Sequence, residues 1–389
     1  MNETELLQPR LEKVKHRSLV TSLLALPPLF VGALLYPEQF FQAYLVGYLF
    51  WISIVLGCLG ILMLHNLTGG EWGVPIRVIL ESSTKTLPLM AILFLPFLIG
   101  VDYLYVWAHP EIVATDELLQ HKQAYLNTNF FFIRSIVYFF IWTTLAHFLN
   151  KWSLQLNKNS SQLLENRLQS LSSLGLIFYV VTVTLAYIDW VMSIDPHWYS
   201  TIYGLLFIVG QILASLAFLV AIMKWLSNYP PFSQIVKSKH FHDLGNLILA
   251  FVMLWAYMAF SQYLIIWSGN LTEEIPWYLQ RMQGGWQWTA LFLIIFHFAL
   301  PFLLLLSRTT KKTGKILSRL AIGILFVRLV DLFWTVAPSF SPFNFSLNWM
   351  HIVAPIGLGG LWITFFVKQL EGKLNLPDIR SSMKFDNEE

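Results

Sequence analysis

"TVTLAYIDWVMSIDPHWYSTIYGLLFIVGQ", residues 182–211, joins two long apolar runs through a short polar seam that contains Asp189, Asp195 and His197. An apolar run of about 20 residues can cross the roughly 30 Å hydrocarbon core of a bilayer as a helix. The stretch therefore predicts a helical hairpin in a membrane, with its turn at one surface.

The rest of the chain repeats this pattern. The 389 residues are 56% hydrophobic and 12% charged, whereas soluble domains carry about 25% charged residues. The runs of transmembrane length lie near residues 18–36, 40–65, 87–108, 130–150, 168–193, 196–226, 243–267, 286–307, 316–337 and 349–369. Lipid admits only helices or closed barrels, and these runs are too long for barrel strands. We expect an all-α integral membrane protein with ten transmembrane helices, arranged as two four-helix bundles plus two flanking helices.

The basic residues predict the orientation of these helices. With the N-terminus inside, 21 of the 25 lysines and arginines fall on the cytoplasmic side, as the positive-inside rule requires. Both termini are therefore expected in the cytoplasm: an N-terminal segment 1–17, a single transmembrane domain 18–370 and a tail 371–389. The net charge of +3 is explained by this topology and does not indicate a nucleic-acid partner.

Two further features limit what the chain can be. "KVKHR" before the first run resembles the start of a signal peptide, but no small-residue cleavage site follows, so we expect a retained helix. The only cysteine, Cys58, lies inside the second run, which leaves no ligand set for an iron–sulfur cluster, a thiolate zinc site or covalently attached haem. We expect this chain to bind no cofactor and no metal of its own.

Charged residues inside the apolar runs are the first candidates for function, because a charge at the bilayer centre is costly. Arg328 and Asp331 are three residues apart, on one helical face. His297, in the preceding run, has a similar depth and can exchange protons near neutral pH. These residues form either a self-neutralising structural group or part of a proton path. Since no second histidine shares this depth, a haem held by two histidines is not expected.

The seam allows two interpretations of its acids. Asp195 followed by Pro196 predicts an N-cap and the first residue of the next helix. Asp189 lies a turn inside the preceding helix and has no capping role, so it could hold protons or water together with Asp102 at the same surface.

The opposite surface has its own candidates in His65, Glu81 and His147. Residues 65–86, "HNLTGGEWGVPIRVILESSTKT", predict a short amphipathic helix lying along the membrane surface, where Glu81 would be solvated. The candidate proton-path residues are therefore Asp102, Asp189, His297, Arg328, Asp331, His147, Glu81 and His65.

Several motifs carry a family resemblance that covers residues 18–370. They are "HNLTGGEWG" (65–73), "LPLMAILFLPFLIG" (87–100), the opening stretch, "FHDLGNLILAFVMLWAYMAFSQYLIIWSGNLTEEIPWYLQRMQGGW" (241–286) and "HFALPFLLLLSR" (297–308). With these motifs the chain resembles the second NrfD-type membrane subunit of bacterial alternative complex III. That complex is a respiratory quinol:cytochrome c (or cupredoxin) oxidoreductase.

The resemblance implies an NrfD-like fold in the bacterial inner membrane and a complex whose haems and iron–sulfur clusters belong to other subunits. The implied partners are a sibling NrfD-like subunit, multihaem cytochrome and iron–sulfur subunits, membrane lipid, the quinone pool and, as a further candidate, a terminal oxidase. Menaquinol or ubiquinol would be the substrate of the complex.

Three hypotheses follow for the chain itself. The leading one is a cofactor-free subunit that contributes to proton translocation and to assembly of the complex. The second is a quinol-binding subunit, with the quinol near Asp189, Asp195 and His197. The third is a stand-alone secondary transporter, because transporters tend to break helices around a midplane site.

Overall fold

The computed structural model describes residues 7–158 and 161–374, and every regular element within these ranges is helical. The helices are α1 Gln8–Leu35, α2 Pro37–Thr68, α3 Val74–Thr84, α4 Leu87–Phe94, α5 Phe97–Leu104, α6 Pro110–Thr115, α7 Glu117–Lys122, α8 Thr128–Lys158, α9 Gln162–Trp190, α10 Tyr203–Leu226, α11 Phe232–Ile235, α12 Ser238–Gly269, α13 Pro276–Arg281, α14 Trp286–Leu293, α15 Leu300–Leu306, α16 Arg308–Lys312, α17 Gly314–Val336 and α18 Met350–Leu374. A π-helical turn, Ile294–Ala299, joins α14 to α15.

Nine of the helices in the described ranges are long and apolar enough to cross a membrane, and a bent pair of segments makes a tenth. The multi-pass, all-α membrane architecture predicted from the sequence is confirmed. We call the helix ends next to residues 191–202 the seam end of the molecule. The other end, which holds the C-terminus of α18, is the opposite end.

Helix α2 forms the centre of the helix packing. Nearly all of its apolar length is buried, and it packs against α3, α9, α10, α17 and α18. The first and last helices, α1 and α18, lie along each other, where the Ser22 hydroxyl donates a hydrogen bond of 2.9 Å to the carbonyl oxygen of Gly357. A central helix enclosed on all sides explains why α2 carries apolar residues around its whole circumference.

The third predicted run departs from the sequence-based expectation. Instead of one helix over residues 87–108, the chain forms α4 and α5, and the segments Glu71–Phe94 and Phe97–Leu104 meet at a bend of 62°. Pro96 lies at the break; proline lacks the backbone N–H of a regular helix and its ring clashes with the preceding turn.

The predicted surface helix within residues 65–86 is also wrong. Its helical part, α3, is buried from Ser82 to Thr84 and at Ile76, Ile79 and Glu81. Sequence periodicity does not distinguish a helix on a membrane surface from one whose polar face meets polar partners inside the protein. Here the polar face meets such partners, so α3 belongs to the interior.

The predicted helix start at Asp195 and Pro196 is wrong as well. Helix α10 begins at Tyr203, and a 3-10 turn, Met192–Ile194, and bends occupy the seam. The Asp195 carboxylate does not cap a helix, because it accepts a hydrogen bond of 2.5 Å from the Ser339 hydroxyl. A partner 144 residues away thus replaces the local capping interaction.

Candidate functional site

The structure brings His297, Arg328 and Asp331 together in the interior. Arg328 forms an ion pair with Asp331 on α17, and the Nδ1 atom of His297 lies 3.9 Å from the Asp331 carboxylate. All three side chains are buried, with exposed fractions of 0%, 3% and 5%. We call these three residues the central group.

The central group has unused hydrogen-bonding capacity. Neither ring nitrogen of His297 has a hydrogen-bond partner among the described residues, and the same holds for Nε and Nη2 of Arg328. Buried polar groups in proteins are nearly always hydrogen-bonded, so such orphans need an explanation. The atoms left free here are those that could bind water or exchange a proton.

The local backbone positions this group. His297 lies in the π-helical turn, and Pro301 in the next turn has no N–H to donate. The His297 ring packs against Trp255 of α12, with ring centroids 4.0 Å apart. Gly210 of α10 faces the Arg328 guanidinium so closely that a Cβ atom would overlap it, so glycine provides the space for this charge.

Buried polar groups continue from the central group toward the seam end. The buried Tyr203 phenol at the start of α10 is within electrostatic range of Asp331, Asp195 and Arg281. Asp195 accepts a hydrogen bond from Ser339, whose hydroxyl oxygen accepts one of 2.9 Å from Arg281. These residues connect the central group to the seam.

Arg281 is fully buried in this outer part of the site. It donates hydrogen bonds to the carbonyl oxygens of Trp277 (2.8 Å) and Thr335 (2.7 Å), and its guanidinium lies 3.6 Å from the centre of the Trp277 ring. Burial lowers the pKa of Arg281 to about 10, so it stays protonated at neutral pH. Its charge offsets that of Asp195, with which it interacts electrostatically.

A second series of polar groups leads from the central group toward the opposite end. The Tyr187 phenol is within electrostatic range of Arg328 and donates a hydrogen bond of 3.4 Å to the Gln211 amide oxygen. The Gln211 amide nitrogen in turn donates to the Tyr179 hydroxyl. All these side chains except Arg328 are at most 1% exposed, so the series runs through the interior of the protein.

The series continues through hydroxyl groups between α2, α3 and α10. The Ser215 hydroxyl donates to the carbonyl oxygen of Gln211 at 2.9 Å, and the Cys58 thiol lies beside the hydroxyls of Ser215 and Ser83. Ser83 is two residues from Glu81 on α3. Polar atoms therefore extend from the central group as far as Ser83 on α3, although side chains two residues apart on a helix do not face each other.

At the opposite end, Glu81 is the centre of a buried ionic cluster. It pairs with Lys373 of α18 and, at 3.1 Å, with Arg77 of α3. The Ser153 hydroxyl of α8 donates to it at 2.5 Å, and Lys373 also donates to Asn150 at 2.9 Å. The expectation that Glu81 is solvated is wrong, since its exposed fraction is 3%.

Asp189 lies in a separate cluster near the seam end. Its carboxylate accepts two hydrogen bonds from Arg134 of α8, at 2.8 and 3.0 Å, and one of 2.7 Å from the Tyr138 hydroxyl. The side chain is completely buried. Asp189 is therefore neutralised by a partner within the protein and is not paired with Asp102.

The remaining acids and histidines of the seam end do not converge on one point. His197 is exposed and pairs with Asp116 at 2.7 Å. Asp102 is exposed, and its backbone carbonyl oxygen lies 2.8 Å from the ring of His109. Asp189, Asp195 and His197, the three residues proposed to hold a quinol, thus have three different sets of partners.

The two histidines predicted at the opposite end have different surroundings. His65 is buried, with its Nε2 atom 3.1 Å from the carbonyl oxygen of Gly70 and its ring edge-on to Trp72. His147 is exposed and lines a cavity of 420 Å³ between α8 and the start of α4. Of the predicted residues at this end, only Glu81 belongs to the ionic cluster.

Several residues of the site were missed by sequence reasoning. Arg134 was detectable as a charge within an apolar run. Lys373 lies beyond the last predicted run, and Arg281 lies in a loop, so neither position indicates burial.

In the described part of the chain, no group of three or more histidine, cysteine, aspartate or glutamate residues could hold a metal ion. No protein-family model and no curated protein matches this sequence.

Proposed function

We propose that this chain is a proton-conducting membrane subunit of a bacterial respiratory quinol:cytochrome c (or cupredoxin) oxidoreductase of the alternative complex III type. The sequence motifs between residues 65 and 308 support the family. The observation that supports the proton role is the central group: an ion pair on α17 and, in the neighbouring π-helical turn, a buried histidine whose ring nitrogens have no hydrogen-bond partner among the described residues. Ionisable residues in such positions are functional candidates by default.

The central group has the parts that proton transfer requires. Asp331 can accept a proton, and when its carboxylate is ionised the neighbouring Arg328 guanidinium balances the negative charge. The 3.9 Å between Asp331 and His297 is longer than a direct hydrogen bond, so one water molecule or a small rotation would complete the link. Histidine accepts a proton at one ring nitrogen and releases it from the other.

Both half-paths have candidate carriers. Toward the seam end these are Tyr203 and Asp195, which connect to Ser339 and Arg281. Toward the opposite end they are Tyr187, Gln211 and Tyr179, followed by Ser215, Cys58 and Ser83. Under the proposed orientation, the seam end faces outward and the Glu81 cluster faces the cytoplasm.

The proposal is tested in the purified complex reconstituted into lipid vesicles, by measuring protons translocated for each electron transferred from a soluble quinol. We expect His297→Gln and Asp331→Asn to lower this ratio while electron transfer continues. Asp102→Asn is the matched control, since Asp102 is an exposed acid outside the polar series. An unchanged ratio in both central variants would refute the proton role.

Purification in mild detergent tests the family assignment separately. A coloured assembly with haem-bearing subunits is expected. A colourless monomer would instead favour the transporter hypothesis, for which the break at Pro96 and the π-helical turn supply discontinuous helices.

A further inference from the structure

We infer that the 420 Å³ cavity between α8 and the α3–α4 junction binds the phosphate of an anionic phospholipid. Lys85 and Lys151 line this cavity. His147 and Thr143, which also line it, lie one and two turns before Lys151 on α8. Within the described residues neither ammonium group forms an ion pair or a hydrogen bond, and both side chains are exposed. None of the nine lining residues is acidic.

The charge balance around the cavity favours an anion. Its buried floor contains Asn150, whose amide oxygen accepts from Lys373. Lys373 and Arg77 already share the single carboxylate of Glu81, and Lys85 is within electrostatic range of Lys373. Three cationic side chains are thus grouped around one carboxylate, with Lys151 lining the same cavity, and a bound anion would relieve the repulsion between these charges.

The polar side chains on the floor of the cavity already use their hydrogen-bond donors within the protein. Both amide hydrogens of Asn150 are used, by the Thr84 hydroxyl at 2.9 Å and the carbonyl oxygen of Ala146 at 2.8 Å. The Thr84 hydroxyl donates to the carbonyl oxygen of Glu81. The available donors are therefore the two ammonium groups, the His147 ring and the Thr143 hydroxyl, which suit the oxygens of a phosphate.

The position and the apolar walls favour a lipid over a soluble anion. Lys151 directly follows the apolar run of residues 130–150, a position where headgroups would meet a helix that spans the hydrocarbon core. Pro88, Ala146 and Leu154 supply apolar lining where acyl chains would begin. Basic pockets between transmembrane helices recognise acidic lipid headgroups by this combination.

Native mass spectrometry of the purified protein with added phosphatidylglycerol or phosphatidylcholine tests the inference. We expect phosphatidylglycerol to be retained preferentially, and K85Q/K151Q to weaken its binding by about fivefold for each lysine removed. K85R/K151R keeps both charges and should retain the lipid. K312Q/K315Q removes two exposed lysines elsewhere and should bind as the unsubstituted protein does.

Three results would overturn the lipid assignment. They are equal retention of the two lipids, unchanged binding in K85Q/K151Q, and displacement of phosphatidylglycerol by millimolar inorganic phosphate, which would assign the site to a soluble anion. The inference does not rest on the proposed proton role, because lipid retention is measured without turnover.

Discussion

The guanidinium of Arg134 holds the carboxylate of Asp189 through two hydrogen bonds, of 2.8 and 3.0 Å, between the antiparallel helices α8 and α9. The Tyr138 hydroxyl occupies a further lone pair of Asp189, and a third Arg134 hydrogen bond reaches the carbonyl oxygen of Tyr125. An ion pair this completely satisfied fixes how the two helices meet.

The pair should show strong coupling when it is mutated. Removing one partner of a buried ion pair costs about 3–5 kcal/mol because the other charge remains buried, whereas an apolar replacement of both is often close to neutral. We therefore expect Arg134→Met and Asp189→Leu each to lower stability strongly, and the double variant to recover most of the loss. Thermal unfolding of the four proteins in one detergent measures this cycle; additive single effects would contradict it.

The Glu81 cluster predicts a ranking of variants. Glu81→Gln leaves Lys373 and Arg77 without their carboxylate, whereas Lys373→Met leaves Glu81 still paired with Arg77 and hydrogen-bonded to Ser153. We expect Glu81→Gln to be the more destabilising by more than about 1 kcal/mol.

Lys312→Gln is the control for this ranking. Its side chain is exposed, so its effect should stay within about 0.5 kcal/mol. Denaturation midpoints in detergent give the order, and a larger loss in Lys373→Met than in Glu81→Gln would show that Lys373 has a role beyond neutralising Glu81.

Acid should loosen the short helix α7. The hydrogen bond from the Leu119 amide lowers the pKa of Asp116, with His197 adding to the effect. A carboxylate with a lowered folded-state pKa contributes stability above its ordinary pKa of about 4, and this contribution is lost as the pH falls through the folded-state value. Hydrogen exchange of the Leu118 and Leu119 amides, corrected for intrinsic rates, should therefore accelerate at low pH.

Asp116→Asn is the matched control for this pH effect. Asparagine caps a helix about as well as aspartate and does not titrate, so its α7 protection should not depend on acid. The same acid response in Asp116→Asn and in the unsubstituted protein would assign the titration to another group.

Replacing each of two glycines by alanine should change the stability of the protein in opposite directions. A Cβ atom on Gly57 of α2 would overlap the Ser215 hydroxyl and the backbone of Gln211 in α10, whereas one on Gly323 of α17 would meet nothing within 4 Å. We expect Gly57→Ala to cost about 1–3 kcal/mol through overpacking. Gly323→Ala should gain about 0.5–1 kcal/mol, because glycine lowers helix stability relative to alanine. Unfolding measurements on both variants decide this, and a tolerated Gly57→Ala would mean that α2 and α10 can move apart.

The central group was predictable because depth along two neighbouring helices can be counted from the sequence. The same count would have paired Arg134, near the start of α8, with Asp189, one residue before the end of α9. Asp189 was instead associated with Asp102, which has a similar depth but an exposed position. The depth of a residue in the membrane limits which residues it can reach. The rotation of each helix about its own axis then determines which of these its side chain contacts.

The errors at Glu81 and Asp195 have a common physical origin. In each case a local rule, amphipathic periodicity for Glu81 and N-capping for Asp195, described an interaction with water or nearby backbone. The actual partners, Lys373 and Ser339, come from more than 140 residues away. Long-range ion pairs and hydrogen bonds replaced the local ones, and no local pattern encodes them.

The π-helical turn at Ile294–Ala299 makes the direction of His297 depend on chain length as well as on residue type. A π turn holds one residue more than an α-helical turn, and each residue of an α-helix corresponds to a rotation of about 100°. Deleting one residue from this turn would restore a continuous α-helix and rotate the side chains within the turn relative to α14 and α15. The imidazole would then point away from the carboxylate of Asp331, although every residue of the central group would still be present.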